Sequence, residues 1–288
     1  MSNVKQFLKI VVLTPISALI LASLAFTSLN YPTSRATIVP PRFITDVNIE
    51  LRDYINNAIA EITSREHILS RSSAFKILNA SVRITVAPTS SRDGMQGSGV
   101  LIESNMVKST KNRRYKSYIL TNLHNVQSTR IAKIEKFSYL DEKFIEKIST
   151  YSGTIILRSD ELDIALIEVI SNDKIGEPVH LFDEKDLESI GRYEPVYVCG
   201  CSLGTSPAIT NGNLSQINPS EYLVSAFAIF GNSGGGVFTS DCRLLGIARR
   251  IGGIQLPNGE SQLLPNMTYL VPGVIIREWL AANKFDPN

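Results

Sequence analysis

From Ser81 onward the hydrophobic period of this chain changes to two, in short apolar runs. The runs "SVRITVA", "GSGVLIE", "KSYILTN", "GTIILRS", "DIALIEV" and "EPVYVCG" are short, rich in Val and Ile, and separated by Gly, Ser, Asn and Asp. That is the pattern of strands, not of helices. The runs "EYLVSAFAIF", "GGVFTS", "RLLGIAR" and "MTYLVP" extend it toward the C-terminus. An all-β domain follows, and at 288 residues two closed or nearly closed barrels suit it better than one sandwich, because closure hides strand edges. With 43% hydrophobic and 19% charged residues the chain has enough apolar side chain to fill such cores.

The first thirty residues are of another kind. Residues 10–29, "IVVLTPISALILASLAFTSL", carry no charge, and about 20 residues at ~1.5 Å rise cover a ~30 Å hydrocarbon layer. Lys5 and Lys9 precede the run, which keeps the N-terminus in the cytoplasm and sends the remainder across. A cleaved signal peptide is the competing reading, with Ser23 and Ala25 before a cut after Ala25. The run is longer than the usual signal core, which favours an anchor. Either way the body of the chain is expected outside the cytoplasm, in the periplasm if the source is bacterial.

A proline-rich spacer, "YPTSRATIVPPRF", comes next, followed by a helical stripe of Ile44, Val47, Leu51, Ile55, Ala58 and Ile62. The expected organisation is an anchor or signal peptide over 1–30, a linker with an amphipathic helix over 31–75, and the main domain over 76–288. Within it the first barrel spans about 76–175 and the second about 176–271. A closing helix over about 272–284 is expected to lay Val274, Ile275, Trp279 and Leu280 on a barrel.

Charge and cysteine content exclude several functions. A formal net charge of +2 gives no field that favours nucleic acid. The basic cluster Lys108, Lys111, Arg113, Arg114 and Lys116 reads as a solvated hairpin tip. Three cysteines cannot form a complete disulfide framework, and Cys199, Cys201 and Cys242 read as small core residues. His67, His124 and His180 show no metal-binding spacing, so neither metal nor other cofactor is expected.

The stretch "FGNSGGGVF", residues 230–238, sets Ser233 among four glycines. A hydroxyl that adds to an acyl carbon creates an oxyanion, which preorganised backbone N–H groups stabilise. Glycines permit the positive φ angles that make such N–H groups converge. Gly231 and Ser233 are the candidate donors. The hydroxyl needs a base, and the base an orienting partner. His124 in "YILTNLHNV" and Asp163 in "DELDIALIEV" stand at strand ends where side chains reach a cleft, with Asp160 the alternative to Asp163.

"ILTNLHNV", "DIALIEV" and "GNSGGGVF", in this order, resemble the three catalytic motifs of chymotrypsin-like serine proteases. The similarity is nearest to bacterial high-temperature-requirement peptidases and extends over about residues 76–284, with no PDZ-type domain expected. The resemblance implies two six-stranded antiparallel barrels with the cleft between them, His124 as general base, Asp163 as its partner and Ser233 as nucleophile. It also implies a side-chain pocket near Phe227 and Ala228, and protein or peptide substrates cleaved after small or medium uncharged residues. Asn232 stands where digestive members carry an aspartate that pairs with a freed N-terminus. No such activation is therefore expected. Asn125, after the base, departs from the usual small or apolar neighbour. A silent binding protein on this scaffold, or an esterase, would carry the same motifs, and the oligomeric state is not legible.

Overall fold

The period-two runs close into two barrels of six antiparallel strands each. The computed structural model describes residues 69–88, 94–108, 113–140 and 144–286. The first barrel comprises β1 (Ser81–Val86), β2 (Met95–Lys108), β3 (Arg113–Asn122), β4 (Ile131–Leu140), β5 (Phe144–Ser159) and β6 (Ile164–Ser171). The second comprises β7 (Pro195–Gly200), β8 (Ala208–Ile217), β9 (Tyr222–Val224), β10 (Gly236–Thr239), β11 (Leu244–Gln255) and β12 (Ser261–Pro272). Around each barrel the strands follow one order, β1-β2-β3-β6-β5-β4 in the first and β7-β8-β9-β12-β11-β10 in the second. The topology is therefore repeated although no sequence repeat is visible.

Alternation along the strands explains how two barrels share one seam. In β6, Ala165 and Ile167 face the interior of the first barrel, while Ile164 and Leu166 face a cluster shared with Cys199, Phe238, Leu244 and Val271 of the second. In β7, Val196 and Val198 fill the second barrel, and Tyr197 and Cys199 face the seam. Strands covered on both faces read as continuous apolar runs, and "DIALIEV" is one of them. Two helices close the seam. α1 (Arg71–Ala80), capped by Ser70 accepting from the Ser73 N–H, buries Ile77 and Ala80 completely; α2 (Gly273–Ala282) buries Ile276 and Leu280.

Three expectations meet the structure here. The run "EYLVSAFAIF" yields only β9. Beyond it the backbone leaves the ladder, with the Ala228 N–H donating to the Pro265 carbonyl and the Thr210 hydroxyl to the Phe227 carbonyl. All three cysteines are free and buried, and burial pushes the thiols of Cys199 and Cys201 up to about 12. No helix among the described residues is long and apolar enough to cross a membrane. The apolar run 10–29 and the amphipathic stripe over 44–62 lie outside the described residues.

One charged cluster links β1 to β4 in the first barrel. Glu135 in β4 accepts from Arg83 Nε at 2.8 Å and pairs with Lys133 Nζ at 2.8 Å, and the Arg83 guanidinium lies 5.2 Å from the Phe137 ring centre. The Arg83 hydrogen bond holds the Glu135 carboxyl down at about 2, from 4.5. Its folded-state value is depressed, so the stabilisation is complete above about 4.5 and is lost as pH falls toward 2. Glu135→Gln is expected to lower the melting temperature by a few degrees at pH 7 and to flatten its decline between pH 4.5 and 2. Thermal melts across that range read both effects.

Candidate active site

The first barrel delivers two side chains to one edge of the seam. β3 ends at Asn122, and a single 3-10 turn over Leu123–Asn125 carries His124. Asp163 immediately precedes β6 with φ +55°, a left-handed conformation that Asp tolerates better than most residues. The conformation is held from both ends. The Asp163 carbonyl accepts from the Leu123 N–H at 3.0 Å and from Asn122 Nδ2 at 3.0 Å. Its carboxylate accepts from the His124 N–H at 2.9 Å and from His124 Nδ1 at 2.7 Å. A carboxylate can only accept, so the proton lies on Nδ1 and Nε2 is left as the acceptor of a neutral ring.

The second barrel supplies the glycine loop. Three consecutive peptide units are each fixed by a hydrogen bond to a carbonyl. The Phe230 carbonyl accepts from the Leu203 N–H at 2.7 Å, that of Gly231 from Ser98 Oγ at 2.7 Å, and that of Asn232 from the Gly235 N–H at 2.8 Å. In a trans peptide the N–H points opposite to the C=O. The Gly231 and Ser233 N–H groups are thereby turned away from these partners, and among the described residues neither donates a hydrogen bond. Gly231 adopts φ +95°, and a Cβ there would lie 2.4 Å from the Cys201 carbonyl oxygen. Only glycine suits both the angle and the close approach.

The two halves interlock around Ser233. Its carbonyl accepts from the Ser98 N–H at 2.9 Å and from Asn125 Nδ2 at 2.8 Å, both from the first barrel. Asn125 is the neighbour of His124 in the chain, so the residue that departs from the usual pattern ties the turn bearing His124 to the serine loop. From the other side Arg249 of β11 places Nε 3.8 Å from Asp163 Oδ2, and the adjacent Ala248 carbonyl accepts from the Gly234 N–H at 2.9 Å. Both Arg249 and Asp163 are partly exposed, which leaves water to screen this pair. Asp160 lies beside Leu123, Gln127 and Arg158, and the carboxylate bonded to the imidazole is that of Asp163.

A cavity of about 10 Å³ adjoins Ser233, bounded by Ala228, Ala248, Arg249, Arg250 and Thr268 among others. Ala228 is where the sequence reading places a pocket wall. Phe227 is not among the lining residues and is 43% exposed. Asn232 is buried, and its Oδ1 accepts from Ser202 Oγ at 2.5 Å. Ser98, Asn125 and Arg249 escaped the sequence reading as site residues. For Ser98 the available signal was a small hydroxyl between two glycines inside an otherwise apolar strand.

Residues 97–247, just over half of the chain, match the trypsin-like peptidase domain family. No curated protein gives a match. Among solved structures the chain is similar to the HtrA-type protease AlgW, a serine-to-alanine variant with a tripeptide. The identity is 16% and the TM-score 0.54, with 74% of this chain and 63% of that chain covered. The likeness is one of fold, and the matched part is less than two thirds of the AlgW chain. With a family match over more than half of its length and the two barrels described above, this chain belongs to the trypsin-like peptidase domain family.

Proposed function

We propose that the chain is an extracytoplasmic serine endopeptidase working through Ser233, His124 and Asp163. In this reading Ser233 Oγ attacks the peptide carbonyl carbon while its proton passes to His124 Nε2. The N–H groups of Gly231 and Ser233 receive the charge on the carbonyl oxygen. Collapse breaks the C–N bond, and the imidazolium gives its proton to the departing amine. Water then attacks the acyl-serine by the same route, and Asp163 keeps the ring oriented and stabilises its cationic form.

One observation carries the reading. Side chains and backbone from both barrels form a closed circuit from Ser233 through Asn125 to His124, on to Asp163 and Arg249, and back through Ala248 to Gly234. The unengaged N–H groups support an oxyanion site that does not first have to be freed of an internal carbonyl. The Ser202–Asn232 hydrogen bond supports activity without a newly cut N-terminus, since it anchors the loop where an ion pair would otherwise be required. The uncharged run behind Lys5 and Lys9 supports placement outside the cytoplasm with a membrane tether.

The test is hydrolysis of an internally quenched peptide library by the purified, uncut chain. Cleavage inside peptides is expected. Turnover of esters alone would make the protein an esterase, and turnover of neither would overturn the reading. The same library reads specificity. A 10 Å³ space holds about one water and little more, so a small side chain such as alanine is expected before the cut. No carboxylate lines the cavity, and Arg249 and Arg250 border it, which disfavours Lys and Arg. A preference for Phe, Lys or Arg at that position would contradict this account of the pocket.

A further inference from the structure

We infer that Ser98, on β2 of the first barrel, is the positioning residue that sets the oxyanion donors of the second. The inference rests on the proposed roles of Gly231 and Ser233, and concerns a residue that does not itself touch substrate.

Ser98 is 1% exposed and makes four hydrogen bonds. Its Oγ accepts from the Cys201 N–H at 2.7 Å and donates to the Gly231 carbonyl at 2.7 Å. The direction is fixed by chemistry, because an amide N–H can only donate and a carbonyl can only accept. Its own N–H donates to the Ser233 carbonyl at 2.9 Å, and its carbonyl accepts from Thr121 Oγ1 at 2.7 Å. Thr121 belongs to the end of β3, just before the turn that bears His124.

The hydroxyl therefore acts on both peptide units flanking Gly231. Directly it holds the Gly231–Asn232 unit through the Gly231 carbonyl. Indirectly, through the Cys201 N–H, it holds the turn whose Leu203 N–H fixes the Phe230 carbonyl, and with it the direction of the Gly231 N–H. That turn needs holding, for Leu203 sits at φ +50° and is 69% exposed. A second tether from the first barrel reaches its end, where Arg83 Nη1 donates to the Gly204 carbonyl. Glycine at 231 is free to adopt either peptide orientation. The selection between them falls to these hydrogen bonds, of which Ser98 makes one directly and supports the other through Cys201.

Removing the hydroxyl leaves a buried N–H and a partly buried carbonyl without this partner. It also frees a donor whose direct removal costs about 10²–10³ in kcat in enzymes of this chemistry. Ser98→Ala is expected to lower kcat for peptide hydrolysis about 100-fold with KM within about threefold of the parent. Affinity for a peptide boronate, whose tetrahedral oxygen needs the same donors, should fall by a similar factor. A role limited to packing would lower the melting temperature without this split. A folded Ser98→Ala variant with kcat within threefold of the parent, or with its loss in KM alone, overturns the inference. Should Ser98→Ala not fold, Ser98→Cys under reductant, with nearly the same volume and a weaker donor, is expected to lose about tenfold in kcat, and full activity in it overturns the inference instead. Failure of the underlying reading would show separately, as a parent protein that hydrolyses no peptide.

Discussion

Replacing Ser233 with alanine is expected to leave a folded protein whose amide hydrolysis has fallen on the order of a millionfold, by analogy with other triad enzymes. The loop does not depend on the hydroxyl for its shape. The contacts that hold it run through backbone atoms, with the Ser233 carbonyl bonded to Ser98 and Asn125 and the Asn232 carbonyl to Gly235. Melting temperature should therefore change little, and the residual rate should be that of binding and the oxyanion donors alone. Kinetics on the best library peptide, with circular dichroism as the control for folding, measure both. A Ser233→Ala variant retaining a tenth of the parent rate would mean that another group attacks the substrate.

Asp163→Asn is the second large effect, with an expected loss of about 10⁴ in kcat. The exchange isolates electrostatics from structure. Asn tolerates the left-handed backbone at this position as Asp does, and its amide oxygen can still accept from the His124 N–H. What it cannot do is accept the Nδ1 proton with its NH₂ group. The ring is then driven to the tautomer that carries its proton on Nε2, facing the serine with a donor where an acceptor is required. Loss of rate with an unchanged melt and nearly unchanged KM is the predicted result. If rate and melting temperature fell together, Asp163 would be acting chiefly on the fold.

The barrels were legible because burial leaves either an alternation, as in β1, or the unbroken Val- and Ile-rich run of a strand covered on both faces, as in β6 and β7. β4 was missed because Lys133, Glu135 and Lys136 interrupt the pattern. The structure accommodates them by pairing Glu135 with Arg83, and by burying Lys136, whose ammonium burial pulls down to about 8. α1 was missed because "RSSAFKILNA" carries only a weak stripe, and its buried Ile77 and Ala80 are defined by the seam it covers. The reverse error, reading "EYLVSAFAIF" as a strand throughout, came from apolar residues past β9 whose backbone meets β8 and β12 through the Thr210 and Thr268 side chains and the Pro265 carbonyl instead of a regular ladder.

The site divides in the same way. His124, Asp163 and Ser233 could be singled out as candidates because acyl transfer demands those residue types, and their local sequences place them at strand ends and in a glycine turn. Ser98, Asn125 and Arg249 could not, because their roles consist of contacts with groups far away in the chain. Ser98 meets Gly231 across 133 positions and Asn125 meets Ser233 across 108. No local pattern encodes such a meeting, which exists only once two barrels of the same topology are packed seam to seam.

The central claim is that the hydroxyl of Ser233 becomes acylated, and trapping that intermediate tests it most directly. In a rapid-quench reaction with an activated peptide ester, intact mass and fragment mapping should find one acyl group per chain, located on the tryptic peptide containing Ser233 and absent from Ser233→Ala. An acyl group on any other residue, or peptide hydrolysis with no covalent adduct even under acid quench, would contradict the account.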